Sequence, residues 1–186
     1  MISCGKRAYR RTGLSLILNG RRESLAGCTD RRGTKGRATE AEGGLSVQGF
    51  YFDELTVGQS AEMSRVVGTA DIEAFAEVSG DNNPVHLDDV YAKTTTFGER
   101  IAHGMLSGAY ISAILGTKLP GPGAIYLSQS LRFRRPVKVG DLVVARATVK
   151  ALDAARGHVT LDTTCAVNGK TVVDGEALVI APRRAA

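Results

Sequence analysis

Cysteine is scarce: of 186 residues only Cys4, Cys28 and Cys165 carry a thiol, an odd number at wide spacing with no C-x-x-C pair. A disulfide framework and a cysteine-built zinc site are therefore excluded, and a reducing compartment is the default. Long apolar runs are also lacking. Nothing approaches the roughly 20 consecutive apolar residues that cross a bilayer, and the stretch from Leu14 to Leu18 is too short for the core of a secretory signal. No internal repeat is visible, and no aromatics interleave with the arginines as an RNA-recognition strand requires. Most of the chain also lacks an excess of either charge. The net charge of +5 resides in residues 1–48, where ten Lys and Arg face four Asp and Glu, while the remainder holds 14 basic and 15 acidic residues. The body of the chain is thus nearly neutral, which argues against a nucleic-acid partner.

Residues 1–48 are rich in Gly, Arg, Ser and Thr without sustained periodicity, and they read as a disordered basic extension. Three readings of it stand: a dispensable or misassigned start, a targeting segment, or a polyanion-binding arm. The expected location is cytoplasmic, with the mitochondrial matrix as the alternative if the extension is a transit peptide. The folding pattern occupies residues 49–182, leaving 183–186 as a C-terminal tail.

Within that body, 60–68 reads as a strand, and Thr69 is placed to cap a helix over 70–79 that Gly80 stops. A short helix spans 88–93, begun by Asp88 and Asp89. Residues 103–116 form the most apolar helix, and a helix apolar nearly all round is expected to be buried. Strands follow over 124–135, 141–153, 157–168 and 170–181, with Asn168-Gly169 the clearest hairpin turn. One long buried helix followed by antiparallel strands predicts an α+β fold, a curved sheet wrapped around that helix.

The chemistry concentrates between residues 79 and 107. Asp81 and His86 stand five residues apart across a rigid Pro84 corner, so a carboxylate and an imidazole can converge on one proton if the loop folds back. Gly104 opens the apolar helix, where free N–H groups and the helix dipole can receive a developing negative charge. Plainer roles exist for the neighbours: His103 a local backbone bond, Ser107 and Ser112 bonds back to helix carbonyls. Arg132, Arg134, Arg135 and Lys138 form a basic cluster on a strand whose alternation prevents them from serving one site together. One or two could meet phosphates or an acidic surface; a solvated strand edge is the equal alternative.

The run from Gly80 to His86 with Ala92, the run Arg100 to Met105, Gly123 to Leu127, and Phe133 to Asp141 together resemble the MaoC-like R-specific enoyl-CoA hydratases, the type 2 hydratase family of the hot-dog fold. The resemblance covers residues 49–182. It implies reversible addition of water to a trans-2-enoyl thioester in fatty-acid metabolism, without metal or redox cofactor, the coenzyme A or acyl-carrier-protein thioester being part of the substrate. It further implies Asp81 and His86 as the catalytic pair, Gly104 as the oxyanion donor, and Asn83 positioning the water or the carboxylate. Ser112 and Leu115 would share the helix face that shapes the acyl pocket, and a homodimer is expected, with neither membrane nor nucleic acid as partner. The rival readings are a dehydratase acting on an acyl carrier protein, a hot-dog thioesterase, and a non-enzymatic acyl-CoA- or RNA-binding module.

Overall fold

The computed structural model describes residues 49–184, and the extension over 1–48 lies outside them. In chain order the elements are β1 (Ser60–Val66), α1 (Thr69–Ser79), α2 (Pro84–Leu87), α3 (Asp89–Lys93), α4 (Gly104–Thr117), β2 (Ile125–Phe133), β3 (Leu142–Asp153), β4 (His158–Val167) and β5 (Lys170–Ile180), with a short 3-10 turn at Phe52–Glu54 before β1. The strands form one antiparallel sheet in the order β1-β3-β4-β5-β2. Asn168 and Gly169 both adopt positive φ, 50° and 73°, as a type I′ turn demands, and so set the β4–β5 register. Asn tolerates that region and Gly is unhindered in it.

The core lies between α4 and the sheet. Leu106, Tyr110, Ile111, Ile114 and Leu115 of the helix are buried with Val143, Ala145, Ala147, Val149, Val159, Leu161 and Ala177 of the strands. Alternation along β3 and β4 sends every second residue inward. The buried alanines of β3 leave room for the helix to approach the sheet closely. No helix among the described residues is long and apolar enough to cross a membrane.

Three expectations change. Thr69 is the first helical residue, not the cap: Gly68 caps α1, and its N–H donates to the Asp71 carboxylate at 2.8 Å. Pro84 starts an additional helical turn, α2, because proline at the first helical position gives up no needed hydrogen bond. Finally, α4 is not covered all round. Met105, Ala109, Ser112 and Gly116 are exposed at spacings of three and four, so one stripe of an apolar helix remains open where the sheet does not reach. Arg183 and Arg184, beyond the expected domain end, pack over Phe52 and Tyr51.

Candidate active site

The loop between α1 and α3 is shaped by its own short side chains. Gly80 ends α1 in the left-handed region (φ 76°) and turns the chain. The Asp81 N–H then donates to Ser79 Oγ at 3.2 Å, and the Asn83 N–H donates to Asp81 Oδ1 at 3.3 Å. Asn83 Oδ1 accepts from the Val85 N–H at 3.2 Å and caps α2, whose third residue is His86. The Asn83 backbone thus orients the Asp81 carboxylate, while its side chain holds the turn that carries the imidazole. Asn83 itself does not line the cavity.

Two main-chain carbonyls fix the tautomers of two histidines. His86 Nδ1 lies 2.8 Å from the Ile101 carbonyl oxygen, which can only accept, so Nδ1 carries the proton and Nε2 keeps its lone pair. Ile101 is held in turn: its N–H donates to Val85 O at 3.4 Å, and the next N–H, of Ala102, donates to Val137 O at 2.7 Å. By the same logic His103 donates from Nε2 to the carbonyl of Asp81 at 2.9 Å. This bond reaches back 22 residues and replaces the local one expected for His103. The two imidazoles stack with centroids 3.8 Å apart and 34° between planes, and Phe75 covers His103 at 5.1 Å. His103 Nδ1 is buried without a partner.

Asp81, His86 and His103 offer ligand-type atoms all within 4.8 Å of one another. Each imidazole spends one ring nitrogen on a main-chain carbonyl, so the cluster offers at most one nitrogen from each histidine and the Asp81 carboxylate. A carboxylate and an imidazole lone pair at this separation can share a proton through one water.

The three residues line a cavity of about 470 Å³ together with Gly104, Phe133 and Val137. Gly104 is the first residue of α4, and the capping position before it, His103, makes no side-chain cap bond. The Leu106 N–H donates to the His103 carbonyl at 3.1 Å, whereas the N–H groups of Gly104 and Met105 precede the first intrahelical acceptor and sit at the positive end of the dipole. The geometry therefore faces a carboxylate–imidazole pair with an anion-receptive helix start. Absence of a side chain at Gly104 also has a packing cause: a Cβ there would stand 2.8 Å from two carbons of the Phe133 ring.

Ser112 and Leu115 do not share a face. Ser112 is exposed in a second, apolar groove of about 480 Å³ beside α4. Leu115, only 2% exposed, packs into the core and lines neither cavity. Residues three apart are offset by about 60° around a helix, enough to divide sheet side from open side. Neither Ser107 nor Ser112 is seen bonding back to a helix carbonyl.

The basic cluster splits, but not by strand alternation, because β2 ends at Phe133 and Arg134 and Arg135 lie beyond it. Arg134 and Arg135 reach the cavity rim, whereas Arg132 lines a polar groove with Lys150 and Asp162. Asp174 grips Arg134 through two hydrogen bonds of 2.5 and 3.1 Å, and that guanidinium holds the Asp174 carboxyl below the usual range. Lys138 pairs with Glu99. Arg135 donates to the Thr171 carbonyl at 2.6 Å and pairs with no carboxylate among the described residues. Sequence reasoning missed Ile101 and Val137, whose contribution is a main-chain carbonyl, and Met105 and Phe133 as cavity walls.

A family model described as "MaoC like domain" matches residues 53–174. The chain is 52% identical over 134 residues to the (R)-specific enoyl-CoA hydratase of Rhodospirillum rubrum, spanning 72% of this chain and 93% of that protein. It is 46% identical to the 3-hydroxybutyryl-CoA dehydratase of Methylorubrum extorquens, over 73% of this chain and 86% of that one. Among solved structures, an R-hydratase from Pseudomonas aeruginosa in the unliganded form superposes with a TM-score of 0.70 at 52% identity, covering 73% of this chain and 88% of that chain.

Proposed function

The chain belongs to the MaoC-like family, and from that premise we propose that it hydrates trans-2-enoyl-CoA to (R)-3-hydroxyacyl-CoA, and reverses the reaction, within fatty-acid metabolism. It is a hydro-lyase. The observation that carries the reading is the convergence of Asp81, His86 and the start of α4 on one cavity.

Water is a poor nucleophile until a base takes its proton. His86 Nε2, left as a lone pair by the Ile101 bond, and the Asp81 carboxylate are the acceptors at hand. As the water oxygen bonds to C3, the C2–C3 π electrons shift toward the thioester and its oxygen gains negative charge. The Gly104 N–H, aided by the α4 dipole, stabilises that oxygen. Collapse of the enolate then takes a proton at C2 from the acid formed in the first step, so the pair returns to its starting state. No group in this sequence needs a metal or redox cofactor. Arg135 at the rim is the cation available to the phosphates of coenzyme A.

A homodimer belongs to the same proposal. β2 is an edge strand bonded only to β5, and its exposed Ile125, Tyr126 and Leu127 give an apolar, unpaired edge of the kind a second copy covers.

The test is loss of enoyl absorbance with trans-2-butenoyl-CoA and with the matching acyl-carrier-protein thioester, followed by chiral analysis. An R product formed faster from the coenzyme A ester is expected. Thioester cleavage without hydration would transfer the protein to the thioesterases.

A further inference from the structure

Every carboxylate and imidazole on the wall of the catalytic cavity stands in one place, with ligand-type atoms of Asp81, His86 and His103 within 4.8 Å of one another. The other charged groups on that wall are the guanidiniums of Arg134 and Arg135, which do not surrender a proton, and Phe97, Met105, Phe133 and Val137 offer no acceptor at all. Within the cluster His103 donates from Nε2 to the Asp81 carbonyl, and its Nδ1 is buried. The working acceptors are therefore His86 Nε2, kept as a lone pair by the Ile101 carbonyl, and the exposed Asp81 carboxylate. Beside them the Gly104 N–H, which precedes the first acceptor of α4, is free to receive a developing negative charge. None of these features depends on a C2–C3 double bond or on a 3-hydroxyl. A base and an anion-receptive donor are together what enolisation of any acyl thioester requires.

Resting on the hydratase reading, we propose a further activity at this site: exchange of a C2 proton of saturated acyl-CoA thioesters with solvent, on substrates that can be neither hydrated nor dehydrated. His86 Nε2 or the Asp81 carboxylate takes the proton as the C2–H bond breaks. The bonding pair becomes the C1–C2 π bond, and the carbonyl π pair moves onto the thioester oxygen at the Gly104 N–H. The captured proton trades with water at the exposed carboxylate, and its replacement returns to C2 as the enolate collapses. No electrons leave the substrate, so no oxidant is needed. Because the proton station is one-sided, removal and return occur on the same face. A single C2 hydrogen exchanges, and a stereocentre at C2 keeps its configuration.

The experiment incubates the full chain with butanoyl-CoA in deuterium oxide and reads the thioester by mass spectrometry and by NMR at C2. A single deuterium confined to one prochiral position is expected. At least one of Asp81→Asn and His86→Gln should slow the exchange by about 10²-fold or more, and the variant that does so identifies the group that handles the C2 proton. His86→Gln retains an N–H for the Ile101 carbonyl, and circular dichroism checks both folds. Exchange at the wild-type rate in both folded variants, or equal entry of deuterium at both C2 positions, overturns the proposal. The same preparation is assayed with trans-2-butenoyl-CoA. Hydration without exchange sinks this activity alone, since water is then added without a free enolate, whereas absence of both refutes the hydratase reading as well.

Discussion

Asp81→Asn separates chemistry from architecture more cleanly than any other change at the site. The amide oxygen can still accept from the Asn83 N–H, and the Asp81 carbonyl that receives the His103 proton is main chain and untouched. The carboxylate is exposed and forms no ion pair among the described residues, so stability should stay within about 0.5 kcal/mol of wild type. What disappears is a proton acceptor. A positioned acid or base is worth about 10²- to 10⁴-fold, and at 1.36 kcal/mol per tenfold the barrier should rise by about 3 to 5 kcal/mol. His86→Ala should slow turnover comparably but at a structural cost. It strands the buried Ile101 carbonyl, which is worth about 1 to 3 kcal/mol of stability. Enoyl absorbance decay under saturating butenoyl-CoA gives kcat, and circular dichroism checks the fold. If the two groups act on one water, the double variant will be scarcely slower than the poorer single one. Near-normal hydration by folded Asp81→Asn would remove the carboxylate from the mechanism.

Other perturbations test the surrounding structure. His103→Leu should lower kcat with little change in KM, because it releases the Asp81 carbonyl, while His103→Gln, which keeps an N–H donor, should recover much of the loss; equal rates for both variants would reduce His103 to packing. Gly175→Ala should cost about 1 to 3 kcal/mol in thermal unfolding, since a Cβ there overlaps the Ser130 carbonyl and forces β2 off β5; an unaltered melting temperature would contradict the strand spacing. Burial pushes the Cys165 thiol up from 9.0 to about 12, so the folded state retains a proton that the unfolded state releases. Its stabilising effect is therefore complete below pH 9 and lost as pH rises from 9 to about 12, and Cys165→Ala should flatten that part of the denaturation profile. Sedimentation should give a dimer, and a fully active monomer at assay concentration would reject pairing through β2.

Features written in adjacent residues were legible in advance. Asn168-Gly169 announces its turn, Gly80 its helix stop, and the strand patterns their sheet to within two residues, because each depends on local backbone preference or alternation. The Asp81–His86 loop was readable only in part: its residues marked a turn that could fold back, but the helical turn begun at Pro84 was not foreseen. Long-range packing was not. The partner of His103 lies 22 residues away, and the separation of Ser112 from Leu115 depends on how far the sheet wraps around α4. The same limit concealed the open stripe on that helix, since apolar composition alone does not reveal how many sides find a cover.

Both imidazoles at the site are oriented by carbonyl oxygens of the main chain, those of Ile101 and Asp81. A point substitution can replace any side chain but cannot delete a carbonyl. The proton chemistry is thereby insulated from much of the mutational drift that reaches its neighbours, provided the loop keeps its path. The walls formed by Met105 and Phe133 have no such protection, being side chains throughout. Substitution can therefore reshape the cavity one residue at a time while the main chain that orients both imidazoles keeps its path.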